Sequence, residues 1–470
     1  MKKVLNKEGR AVGNAVVFIT CLLMLSTGAI ADEGMATGGE KGGFFTGVKK
    51  GLSNLTSGFP NIFSELSPAD VGHKPRVRPH FSFNQGFNSN ARVGSTQVDA
   101  AWQARIAPGI TVSIPSGKLY TEVDYTYGFA TSQGRKSIFN VGTHNLNALA
   151  RYDVSVDTIV GVGNNLQLSE VPGQADRTFV LETATAQVSH RLAPKLNASL
   201  SDVFQWYDDQ TRTTTFVGNG TPGSRRNKEF NNEFVDNGVG LNLGYDATSD
   251  LTAGPSFNWN VRHYDTANGK SYWQIQPALN ASYRLGPKTT VMGNVGWAYR
   301  KFSDKTTSTV DSRESELVYG AGVTHLYGRK LAWSVNYAKT LQDTFNTNFI
   351  FRDRPEATLL DDIDSQFRVV KSHRLGTNAT FNVNEKNSVG AFADVSITTG
   401  DPDDNIIVHQ KSQEKTMQIG ASYTYRFNRY IAFDLQYAFG RRFSADNSAP
   451  VGARTEYTFH KVTGGVNISI

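Results

Sequence analysis

Cysteine is all but missing from this chain: among 470 residues there is one, Cys21. A lone thiol forms no internal disulfide and no thiolate cluster, so a disulfide scaffold and a cysteine metal site are both excluded. Long apolar runs are equally scarce. Past the first thirty residues nothing approaches the roughly 20-residue apolar stretch that a spanning helix needs. Charged residues make up only 19 %, and the formal charge of +6 is inflated by the start of the chain. Lys2, Lys3, Lys7 and Arg10 against Glu8 account for half of it. The remainder is close to neutral, which gives no electrostatic footprint for a nucleic-acid partner. Catalytic signatures are lacking as well. The nine histidines are scattered, with no His-x-x-x-His, no Gly-x-Ser-x-Gly and no glycine-rich phosphate loop. No enzyme activity, no cofactor and no metal are expected.

What the chain does have is aromatics (11 %) and 44 glycines on a polar background, 39 % hydrophobic with a mean hydropathy of −0.37. That mixture suits a wall with one apolar and one wet face. Residues 1–31 read as a secretory signal peptide. Met1–Arg10 is basic, Ala15–Leu25 is apolar, and Ala29-Ile30-Ala31 offers small residues for cleavage. Residues 32–76 have a different texture. A Gly-rich lead-in precedes Phe44, Phe45, Val48, Leu52 and Leu55 at helical spacing, and Pro60, Pro68 and Pro75 follow. This segment is expected to be periplasmic with one short amphipathic helix, acting as a tail or as a plug.

From Val77 onward the period is two. Trp273, Ile275, Pro277, Leu279, Ala281 and Tyr283 alternate with Gln274, Gln276, Ala278, Asn280, Ser282 and Arg284. Leu251–Arg262 and Ile431–Arg442 repeat the pattern. Successive side chains of a strand point to opposite faces, so each such segment has a lipid-compatible side and a wet side. Short turns such as Pro115-Ser116-Gly117-Lys118, Gly286-Pro287-Lys288 and Asn384-Glu385-Lys386 alternate with longer polar loops near 130–143, 209–232, 303–313, 344–365, 398–412 and 444–454. The expected fold is all-β: a transmembrane antiparallel up-and-down β-barrel of about 18 strands over residues 77–470. It closes first strand on last, because an open edge is not satisfied in lipid.

Ala104–Val112, Tyr120–Tyr127 and His144–Tyr152, in that order, resemble the opening hairpins of the β-barrel porin 2 family. The resemblance implies a channel-type outer-membrane protein. Some members of that family belong to exopolysaccharide systems, where a periplasmic export partner stands beside the barrel. The ending Val466-Asn467-Ile468-Ser469-Ile470 departs from the terminal Phe read by the barrel-insertion machinery.

Parity places Arg105, Arg151, Arg191, Arg262, Arg284, Arg300, Arg368, Arg374, Arg426 and Arg442 on the wet face, with Glu122, Asp124 and Asp434 among the acidic counterparts. A pore lined by arginine favours anions. The alternative is that arginine and carboxylate pair across neighbouring strands and only stiffen the wall. Three functions follow as expectations: a porin-like channel for hydrophilic solutes of anionic or sugar type, a conduit for exopolysaccharide with a periplasmic partner, or a plugged structural barrel. All three place the chain in the outer membrane, in contact with its lipid. Lipid-facing and partner-facing apolar residues look alike in a sequence, so no oligomer interface is singled out.

Overall fold

In the computed structural model, described residues run from 75 to 469, apart from 90–99, 135–137, 171–177, 216–225, 265–270, 304–312, 343–366, 403–411, 445–456 and 329. The leader, the 32–74 stretch with its expected helix, and most of the long loops therefore lie outside the described residues. Eighteen strands follow one another: β1 (Arg76–Asn88), β2 (Ala101–Ser116), β3 (Leu119–Gly134), β4 (Ile138–Ser155), β5 (Thr158–Glu170), β6 (Thr178–Ala193), β7 (Leu196–Thr215), β8 (Arg226–Asp246), β9 (Leu251–Tyr264), β10 (Tyr272–Arg284), β11 (Thr289–Phe302), β12 (Arg313–Tyr327), β13 (Leu331–Gln342), β14 (Phe367–Asn382), β15 (Asn387–Pro402), β16 (Ser412–Arg426), β17 (Ile431–Ser444) and β18 (Tyr457–Ser469). Each pairs antiparallel with its sequence neighbours, and β1 pairs with β18 from His80↔Ser469 to Asn88↔Lys461. The sheet has no free edge: it is a closed up-and-down barrel.

Connections at one end are two to four residues long, and those at the other run up to 24. The short ones use the expected turn chemistry. Gly117, Gly286 and Gly328 adopt φ of 52°, 79° and 67°, the left-handed region that costs other residues a Cβ clash. Asn384 Oδ1 accepts from the Lys386 and Asn387 amides, and Asn428 Oδ1 does the same for Tyr430 and Ile431.

The strands reach further than apolar alternation suggests. β7 and β8 continue to Thr215 and from Arg226, well into the expected 209–232 loop, and β3 and β4 leave only 135–137 between them. Hydrogen-bonded pairing does not stop where lipid stops, because polar strands extend a ladder into water equally well.

The two faces are told apart by curvature. Side chains on the concave side crowd one another, and those on the convex side splay apart. Tyr120 and Tyr207, of one parity, are buried, whereas Trp102, Leu200 and Leu279, of the other, are 50–60 % exposed. The apolar parity is thus the outside. Aromatics gather on it towards both strand ends, as Trp102 and Phe129 do towards the loop end and Tyr283 and Tyr327 at the turn end.

Pro108, Pro255 and Pro277 stand in the middle of their strands. At Pro108, Pro255 and Pro277 the ladder lapses on one side only, towards β3, β8 and β11 respectively. Each lacks the N–H that would have pointed at that neighbour, while the ladder on its other side is unbroken.

Candidate functional site: the inner wall

The lumen is lined by the polar parity, and two of its regions are densely built. Near the turn end, β1–β3 hold both acidic residues that the sequence reading singled out there. Glu122 Oε2 accepts from Arg78 Nη2 (3.1 Å), Ser113 Oγ (2.8 Å) and the Tyr120 hydroxyl (2.5 Å). Asp124 Oδ2 accepts from Thr111 Oγ1 at 2.6 Å and lies 2.9 Å from His80 Nε2. Neither carboxylate is a bare charge facing the pore.

Nearer the loop end, β7–β11 carry a ladder of rings and guanidinium groups. Tyr207 stacks on Phe234, with ring centroids 5.3 Å apart. The Arg262 guanidinium lies 4.4 Å from the Phe234 centroid, and that of Arg300 lies 4.1 Å from Tyr272, which meets Phe302 edge-on. Asp236 accepts from Arg262 through both Nε and Nη2, and also from Asn260. Arg300 donates to Gln274 Oε1 at 2.9 Å. Register brings this about: Asp236 sits opposite Arg262, Arg262 opposite Tyr272, and Gln274 opposite Arg300. Cation–π contacts of this kind are worth about 0.5–2 kcal/mol each as desolvation grows. Sequence reading placed the arginines on this face but missed the inward aromatics. Parity was the signal that could have found them, since Phe234 and Tyr272 share the phase of polar neighbours.

The remaining expected residues divide sharply. Arg151 pairs with Asp153 at 3.0 Å, Arg374 with Asp394 at 2.6 Å and Arg191 with Asp157 at 3.5 Å. Asp434 is held by Thr424 and Asn467 and has no cationic partner among the described residues. Arg105, Arg284 and Arg426 have no carboxylate partner among the described residues. Arg368 falls at the β-bulge between Phe367 and Val369. The side chains of Arg368 and Arg442 lie outside the described residues. Some of these arginines thus pair with carboxylates, while Arg105, Arg284 and Arg426 do not among the described residues.

The half-exposed Arg191–Asp157 pair is the weakest brace. Arg191→Ala is expected to change unfolding free energy by less than about 1 kcal/mol, read from urea titration of the heat-modifiable gel band.

No family model matches the chain, and no curated protein matches it. Among solved structures it is similar to OccK5 of Pseudomonas aeruginosa, at 10 % identity and a TM-score of 0.45, over 84 % of this chain and 98 % of that one. It is similar to OprD of the same organism at 9 % identity and a TM-score of 0.43, over 84 % and 95 %. The FrpB iron transporter of Neisseria meningitidis, in its apoprotein form, gives 10 % identity and a TM-score of 0.47 over 86 % and 83 %.

Proposed function

We propose that this chain is an outer-membrane channel for passive passage of hydrophilic solutes, with a mild preference for anions. The closed barrel supports the membrane reading. Its apolar convex face, belted by aromatics, suits hydrocarbon, and its polar concave face suits water. Eighteen strands enclose an aqueous interior when nothing fills it. The observation that carries the preference is the trio Arg105, Arg284 and Arg426, inward cations with no carboxylate partner among the described residues. Asp246, held by Thr252, and Asp434 oppose them in part, which keeps the preference mild.

The first test is single-channel conductance of the mature protein in a planar bilayer, with and without residues 32–75. Steady ohmic steps from both forms are the expected result. Silence of the longer form and conductance of the shorter one would replace the open channel with a plugged or partner-gated conduit, the exopolysaccharide reading included.

Selectivity follows from reversal potentials in a salt gradient. The native chain is expected to give the anion sign, and Arg105→Gln, Arg284→Gln and Arg426→Gln together are expected to remove most of it. A cation sign in the native chain would end the anion reading.

A further inference from the structure

On the convex wall the β5–β8 arc carries residues that do not suit lipid. On β5–β8 the outward parity includes Asn164, Glu182, Asp202 and Asn237. Asn164 and Asn237 belong to a single cross-strand row, Ala148–Asn164–Ala184–Phe204–Asn237–Val261. One outward step towards the loop end stands Glu182, level with Trp206, and one step towards the turn end stands Asp202. Each amide holds the nearer carboxylate: Asn164 Nδ2 donates to Glu182 Oε1 at 2.9 Å, and Asn237 Nδ2 donates to Asp202 Oδ1 at 3.0 Å. Asp202 is exposed, three outward positions above Leu196 and two below Trp206, so it sits at mid-height of the wall.

Hydrocarbon offers neither donors nor acceptors, and an ionisable side chain facing it is costly. A carboxylate kept there with a dedicated amide partner points to protein on the other side. From this geometry we infer that the β5–β8 arc is the contact surface for a second copy of this chain. The inference rests on the outer-membrane reading of the barrel.

The patch fits itself. An amide nitrogen has two N–H donors, and each asparagine commits one within the chain. A carboxylate has two oxygens, and Asp202 Oδ2 and Glu182 Oε2 have no partner among the described residues. Donor and acceptor therefore stand side by side on one surface. Copies inserted in one membrane share the same orientation, so a two-fold axis along the membrane normal sets the patch against itself at equal depth. The spare N–H of each Asn237 then reaches the partner's free carboxylate oxygen. Ala184 lies in the row and Ala186 one outward step below it, level with Asp202, and small residues let two walls come close.

Engineered cysteines test this cleanly, since Cys21 is the only native one and lies in the expected leader. In native membranes, Ala186→Cys and Leu200→Cys are each expected to cross-link into a species of twice the chain mass. Leu435→Cys, on the exposed outer face of β17, is expected not to. Adding Glu182→Leu with Asp202→Leu is expected to abolish the cross-link while heat-modifiable mobility and conductance per chain persist. Glu182→Gln with Asp202→Asn, which retains hydrogen-bonding groups, is expected to keep the cross-link. Absence of cross-links at both arc positions, their survival in the double leucine variant, or adducts only to a different protein would overturn the proposal. Persistent conductance in any of these cases would leave the channel reading standing, so the two fail separately.

Discussion

Asp236→Leu is expected to lower the stability of the folded barrel by about 3–5 kcal/mol, the range for removing one partner of a buried ion pair. The Asp236 side chain is only 7 % exposed and that of Arg262 only 11 %, so water replaces little of what is lost. Two donors from Arg262 and one from Asn260 lose their acceptor together. The guanidinium stays fixed over Phe234 and cannot swing into the lumen without giving up that contact. Adding Arg262→Leu should restore most of the stability, because a pair of apolar side chains leaves no orphaned charge. Urea midpoints of the refolded protein in lipid vesicles, for both single variants and the double, check this. A single variant as stable as the native chain would show that the ladder is ornament.

Gly254→Val should do comparable damage for a different reason. Where Pro255 interrupts the β8–β9 ladder, the two backbones close in, and a Cβ built at position 254 collides with the Leu243 carbonyl oxygen. Backbone atoms cannot turn aside as a flexible side chain can. Overpacking of this kind costs about 1–3 kcal/mol and sometimes more. In a closed barrel the strain is shared by the strands on both sides. The expected readout is a clear fall in the fraction of protein that migrates as the folded band, with the unheated sample compared against the boiled one. Gly244→Val serves as the control, since a Cβ there meets only Thr252 Cγ2, at 3.5 Å, an ordinary contact.

Alternation was readable because it is local. A period of two needs only each residue and its neighbours along the chain, and it placed Leu279 outside and Asn280 inside without any knowledge of the partner strand. Turn chemistry is local in the same way, so Gly117, Gly286, Asn384 and Asn428 were found at the short connections. The strand count followed, and with it the closed barrel, since a lipid-exposed edge has no way to satisfy its backbone. Strand ends were less legible: β7 and β8 run on past the point where apolar residues cease to mark them.

What the sequence by itself determined is therefore the wall: its strands, its two faces and its even number of crossings. Only the tertiary structure decided which residues on a face meet. Arg262 and Arg284 share a parity and a residue type, yet one is locked onto Asp236 and Phe234 and the other has no carboxylate partner among the described residues. Asn164 and Asn237 are more than seventy residues apart, yet they occupy one row of the outer wall. Both outcomes depend on register, the offset between strands that are distant in the chain. Register is set by turns, by proline lapses and by closure of the whole sheet acting together, and no window of the sequence contains it.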